Sequence, residues 1–256
     1  MRKIATLILA FFSVTLLYAQ KDLSIVFIGN SVTYGAQHPE ATRMQTCPPA
    51  QAAAWLMSQS EIGKVHWANN GVNGCTSYDF LPQQGKGLFA EALHNADSLE
   101  MAFPSAEMVF CISLGCNDTA RRPAYGPSTP GKYEENITLI VETLLARYPD
   151  AVVILNNSIA YMPGTHTQHG SRMMFDLLTV FNDIEKDIVV KLSKTYGSHI
   201  RLGDTDGYDH FKSEAIYTTQ MYPEKGWQGS TFYLHPTPEG SHHLGVLWGK
   251  AILRNL

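Results

Sequence analysis

Ser31 and His235 carry the chemistry most worth explaining in this chain. Ser31 lies in the stretch IVFIGNSVTYG (25–35), where four consecutive apolar residues run straight into Gly29-Asn30-Ser31. A serine at such a strand end serves either a phosphate-cradling loop or a nucleophile turn. The phosphate reading fares poorly, because GNSVTYG has neither the G-x-G-x-x-G spacing nor the Gly-Lys-Ser/Thr ending that phosphate loops use. As a nucleophile, a serine hydroxyl is weak until a base takes its proton, and histidine has the ordinary pKa for that task near neutrality. His235, immediately before Pro236 in YLHPTPEGSHHLGVLWGKAI, is the candidate base. His242 and His243 fall inside the helix expected after Pro236 and read as surface or packing residues. His166 and His169 share an H-x-x-H spacing with no third ligand nearby, a weak metal signal. No C-x-x-C pair occurs, and no metal or cofactor is implied.

These residues need a scaffold. Short apolar, β-branched runs ending at Gly or Asn predict strands at 23–28, 64–68, 107–113, 151–156 and 199–202, and longer spans with apolar residues three and four apart predict helices at 50–59, 88–99, 133–147, 171–195 and 238–253. Continuous apolar strands alternating with helices imply a mainly parallel five-stranded sheet covered on both faces, a three-layer α/β/α sandwich. Ligands bind such sheets beyond the carboxyl ends of the strands. Small and polar residues gather at four of those ends: Gly29-Asn30-Ser31, the run from Asn69 to Gly74, Gly115-Cys116-Asn117-Asp118, and Asn156-Asn157-Ser158. Residues 157–170 and 203–233 read as long irregular loops that shape a binding site. Their aromatics, Tyr161, Tyr208, Phe211, Tyr217, Tyr222, Trp227, Phe232 and Tyr233, suit stacking on sugar rings or packing beneath the loops.

The chain as a whole narrows the partners. Residues 1–19 open with Arg2 and Lys3, continue through an apolar run and end on Ala19, the pattern of a secretory signal peptide cleaved after that residue. The run is shorter than the ~20 residues that span a bilayer, so no transmembrane segment is expected in the exported chain, and secretion or periplasmic export follows. Residues 20–256 then form one domain. The full chain carries 19 Lys and Arg against 23 Asp and Glu, and loss of Arg2 and Lys3 makes it more acidic still. Without a basic stripe, nucleic acid is not an expected partner. Cys111, inside MVFCISLG, reads as a buried thiol.

The four ordered blocks resemble the SGNH hydrolase superfamily, the GDSL-like esterases. Gly29-Asn30-Ser31 is similar to its first block, the N-x-G-x-x-G pattern ending at Gly74 to its second, Gly115 to Asp118 to its Gly-x-Asn-Asp block, and His235 before a proline and a helix to its last. The resemblance implies a flavodoxin-like fold and a serine esterase with Ser31 as nucleophile and His235 as base. It also implies an oxyanion hole formed by the backbone N–H groups of Ser31 and Gly74 and the side-chain amide of Asn117. Cys75 and Cys116 adjoin two of those donors, which converge in this family, so a disulfide between them is one pairing to consider, with Cys47 as a competing partner and the pairing left open. Asp118 is left to orient the substrate, bind the Ser31 loop or cap the following turn.

One position departs from the pattern. The family usually places Asp three residues before the histidine, and position 232 is Phe. Three explanations stand open: a backbone carbonyl at Phe232 or a neighbour, which is preferred because some carbohydrate-esterase branches manage that way; a loop carboxylate such as Asp206, Asp209 or Glu224; or loss of activity. The expected substrate is a small acyl ester, most of all an acetyl ester on a glycan. Lipid or lysophospholipid acylhydrolysis and noncatalytic carbohydrate binding are the alternatives.

Overall fold

The computed structural model describes residues 20–84, 86–119, 128–162, 171–226 and 229–256, with the backbone alone for 171–175. Residues 1–19, where a leader is expected, and His166, His169 and Trp227 lie outside the described residues.

The central sheet takes its strands from β1 (Lys21–Gly29), β2 (Ile62–Gly71), β3 (Glu107–Ser113), β4 (Val152–Leu155) and β5 (Ile200–Leu202), in the order β2-β1-β3-β4-β5. Every pair is parallel. Each predicted strand therefore exists, with ends displaced by three residues at most. β1 is buried from Leu23 to Gly29, which only a sheet covered on both faces can accommodate.

The alternation of side chains along β1 divides the core. Leu23, Ile25 and Phe27 pack with Ala52, Ala53 and Leu56 of α3 (Pro48–Met57) and with Leu244, Trp248 and Ile252 of α9 (Pro238–Arg254). Val26 and Ile28 face the other way, against α4 (Leu88–Ala102), α5 (Pro130–Arg147) and α6 (Ser171–Tyr196), through Phe89, Ile140 and Phe181 among others. The result is the three-layer sandwich, with two helices on one face and three on the other among the described residues. Short α1 (Ser31–Tyr34) and α2 (Arg43–Thr46) lead from β1 into α3.

The segment 203–233, expected as loop, is a folded unit instead. It holds α7 (Asp206–His210), α8 (Glu214–Gln220), β6 (Met221–Lys225) and the start of β7 (Thr231–Pro236). β6 and β7 pair antiparallel as a separate two-stranded ribbon. Pro223 argues against a strand in sequence, but a two-stranded ribbon consists of edges, where a missing N–H is tolerated.

The ribbon is irregular at one place. Pairing steps from Met221–Pro236 to Pro223–Tyr233, so two residues, Leu234 and His235, occupy the space opposite Tyr222 alone. Such a bulge re-aims the side chains of the longer strand.

Candidate active site

β1 delivers Ser31. At its end, Asn30 adopts an extended backbone and its Oδ1 accepts the Val32 N–H at 2.9 Å, which caps α1 and starts a helical turn directly after the strand. Gly29 admits the turn because a Cβ there would sit 2.0 Å from Thr33 Oγ1. Ser31 thus occupies the first position of α1, where a backbone N–H has no intrahelical acceptor. It is 8% exposed.

β7 delivers His235. Its Nε2 lies 2.8 Å from Ser31 Oγ, and its Nδ1 lies 2.8 Å from Glu224 Oε1 on β6. The His235 backbone N–H also donates to Glu224 Oε1, at 3.4 Å. A carboxylate only accepts hydrogen bonds, so Nδ1 carries the proton and Nε2 is left to accept from the Ser31 hydroxyl. Both side chains are largely enclosed, His235 at 13% and Glu224 at 15% exposure.

The acceptor at Nδ1 is therefore Glu224 rather than the preferred Phe232 carbonyl. In a regular ladder, Glu224 opposite Phe232 would face away from a residue three positions along β7. The bulge at Leu234 and His235 brings the imidazole round to the Glu224 side. Phe232 is 7% exposed and packs with Cys116, Tyr161, Leu178, Tyr208 and Leu234. The other two loop carboxylates are elsewhere: Asp206 and Asp209 are exposed on α7, where Asp209 pairs with Lys212 at 3.3 Å. His242 meets Gln51 at 2.8 Å and His243 stacks on His210 at 3.7 Å.

The expected oxyanion residues are drawn together by a small network. The Gly29 carbonyl accepts the Val72 N–H at 3.0 Å and the Cys75 thiol at 3.2 Å. Asn117 Nδ2 donates to the Cys75 carbonyl at 2.9 Å, and the planar amide has a second N–H to offer. Gly74 sits between these tethers in the left-handed region, φ 71°, which a side chain would resist.

Asp118 supports the same loop from below. It is 1% exposed and its carboxylate accepts the Ser77 N–H at 3.0 Å as well as the Ser77 hydroxyl. Burial raises its pKa, while the bonds from Ser77 and Ser128 pull the other way. Its contact is thus with the loop after Gly74, not with the Ser31 loop.

The disulfide considered between Cys75 and Cys116 is absent, and all four cysteines are buried thiols. Cys75 bonds to the nucleophile strand, whereas Cys116 packs in the cluster around Phe232. The two thiols belong to different parts of the core.

Sequence reasoning missed the contributions of residues 37 and 38. Gln37 Nε2 donates to Glu224 Oε2 at 3.3 Å, and His38 Nε2 lies 3.0 Å from the Pro236 carbonyl. The His38 pKa is lowered by burial, with Arg43 and His235 adding to that direction and the Pro236 bond opposing it. Nothing in AQHPE marks these residues out. Of the loop aromatics, Tyr161, Tyr208, Phe211, Tyr217 and Phe232 are buried, so they pack beneath the loops. Tyr222 and Tyr233 are partly open.

A serine at the end of the first strand of a parallel α/β/α sheet, paired with a histidine ahead of the last helix, defines a carboxylic ester hydrolase of the SGNH kind. The chain belongs to the GDSL-like lipase/acylhydrolase family, whose model matches residues 27–243. Comparison with curated proteins finds no match. Solved structures share the fold at low identity. An aryl esterase of M. smegmatis aligns over 91% of this chain and 100% of its own, at 17% identity and TM-score 0.61. The acetylxylan esterase Axe2 of Geobacillus stearothermophilus aligns over 93% and 95%, at 18% identity and TM-score 0.55. LAE5, an alpha/beta hydrolase from the metagenome of Lake Arreo, aligns over 93% and 97%, at 18% identity and TM-score 0.57.

Proposed function

We propose that this protein is an exported serine esterase that removes short acyl groups, acetyl above all, from a carbohydrate. The observation that carries the reading is the continuous relay from Ser31 Oγ through both ring nitrogens of His235 to Glu224, with each link at 2.8 Å.

In this reading His235 Nε2 takes the Ser31 proton as Oγ attacks the ester carbonyl. Glu224 holds the ring in the required tautomer and faces the imidazolium that forms. The Ser31 and Gly74 N–H groups and the Asn117 amide meet the charge on the carbonyl oxygen. The imidazolium then protonates the sugar oxygen as its bond to the carbonyl carbon breaks, releasing the sugar hydroxyl and leaving an acyl-enzyme on Ser31. Water, deprotonated by His235, attacks that ester and releases acetate, restoring the serine. No step needs a metal or cofactor.

Support for a carbohydrate ester comes from the shared fold of an acetylxylan esterase, the acidic chain and the partly open Tyr222 and Tyr233. The apolar leader at 1–19 supports export. The noncatalytic alternative rested on Phe232 leaving His235 without a carboxylate, and Glu224 supplies one.

The test compares hydrolysis of p-nitrophenyl acetate, p-nitrophenyl esters of long acyl chains and acetylated xylo-oligosaccharides by wild-type and Ser31→Ala protein. Acetate release that depends on Ser31 and fades with chain length is expected. Equal turnover by both proteins overturns the esterase mechanism, and a preference for long chains overturns the substrate class.

A further inference from the structure

Gln37 has φ 70° and is the one non-glycine residue with positive φ among the described residues. A side chain is sterically disfavoured in that region, and such strain persists where surrounding contacts over-determine it. Gly35, two positions earlier at φ 80°, is glycine as expected. At 37 the chain keeps a long polar side chain instead. Gln37 is exposed, so packing does not account for it.

Its contact does. The Gln37 carboxamide reaches Glu224 Oε2, the oxygen that His235 leaves unused. The next residue, His38, reaches the carbonyl of Pro236, which directly follows His235. His38 is itself fixed, with Thr46 Oγ1 2.8 Å from Nδ1 and Ser241 Oγ 3.2 Å from Nε2. In extended chain, successive side chains diverge. The left-handed turn at 37 lets two successive side chains grip the same ribbon, one on the strand of the carboxylate and one on the strand of the imidazole.

We propose that Gln37 is a positioning residue for the ester hydrolysis: it fixes the second oxygen of Glu224 so that the first stays aimed at His235. This rests on the reading of Ser31, His235 and Glu224 as the catalytic relay. The left-handed backbone is then retained because it aims this one side chain, and glycine in its place frees the backbone while losing the aim.

The test measures p-nitrophenyl acetate kinetics and thermal unfolding for Gln37→Gly, Gln37→Ala, Glu224→Ala, the double variant Gln37→Gly/Glu224→Ala, and Ser31→Ala. For Gln37→Gly, kcat falls about tenfold, the scale of one lost hydrogen bond to a charged group, with KM within about twofold and Tm equal to or above wild type. Gln37→Ala loses the same activity without the gain in Tm. In the Glu224→Ala background the Gln37→Gly change has no further effect, because its only route to the reaction has gone. Wild-type kcat in Gln37→Gly, or the same tenfold loss in both backgrounds, overturns the inference. If Ser31→Ala hydrolyses the ester as well as wild type, the esterase reading falls and this inference with it. A dead Ser31→Ala beside a fully active Gln37→Gly overturns the inference alone.

Discussion

Glu224 Oε1 stands 2.8 Å from His235 Nδ1 across a two-stranded ribbon, although the residues are eleven apart in sequence. The relation depends on pairing and on the extra residue in β7, not on a local motif. Replacing the carboxylate by its amide, Glu224→Gln, allows the opposite tautomer and is expected to lower kcat by ~10²–10⁴-fold, with KM nearly unchanged. Steady-state kinetics on p-nitrophenyl acetate reads this directly. Full activity would remove Glu224 from the relay.

The usual family position offers a sharper comparison. Phe232 packs in the cluster with Leu178 and Leu234, and an aspartate there enters apolar surroundings. Phe232→Asp is expected not to rescue Glu224→Ala, and to lower Tm through burial of an unpaired carboxylate. Restored turnover in the double variant would show that the ribbon can realign.

Asn117 has two duties, a bond to the Cys75 carbonyl and the proposed oxyanion contact. Asn117→Ala is expected to lower kcat by ~10²–10³-fold. Asp118→Asn keeps an acceptor for Ser77 and leaves Asn117 in place, so it is expected to retain kcat within about tenfold. Parallel kinetics on the two variants separates the chemistry from its support.

Away from the site, burial pushes the Asp204 carboxyl up to about 6, helped by Asp206 and opposed by Arg254 and by the N–H bonds from Asp206 and Gly207. The folded state therefore holds the proton more tightly than the unfolded chain. The stability this confers is full below about pH 4 and declines as pH rises to about 6, by about 3 kcal/mol in all. Glu185, enclosed against Tyr133, is shifted in the same direction, so the informative quantity is the difference between proteins. Asp204→Asn is expected to flatten the decline between pH 4 and pH 6 in urea unfolding. An unchanged pH profile would count against the buried acid.

With no cysteine in a disulfide, reductant is expected to leave Tm unchanged. Thiol counting on unfolded, unreduced protein should find four reactive groups, and fewer would reveal a bridge.

The strands and principal helices were legible because their signals are local. β1 is an unbroken apolar run, and Pro48, Pro130 and Pro238 each sit at the start of a helix. The ribbon was not, since β6 is short, contains Pro223 and carries Glu224 and Lys225, which together look like surface loop. One signal was present: two short runs flank Gly226 and Gly229, and the turn closes by the bond from Gly226 N–H to the Ser230 carbonyl. Ser31 and His235 could be named because their neighbours in sequence announce them. The carboxylate beside His235 could be offered only as one of three in the long loop, because strand pairing alone singles out Glu224. Gln37 is harder still, as its distinction lies in a backbone angle that no residue type specifies.

The ribbon does not belong to the five-stranded sheet, and this divides the relay unevenly. The carboxylate and the imidazole share the ribbon, while the nucleophile rides on the sheet. Thermal displacement of the ribbon stretches the gap between Ser31 and His235 and leaves the span from His235 to Glu224 intact. Wear from heat or denaturant should therefore reach the serine contact first, before the helices melt. Activity would fade ahead of circular dichroism, with the imidazole and its carboxylate still in register.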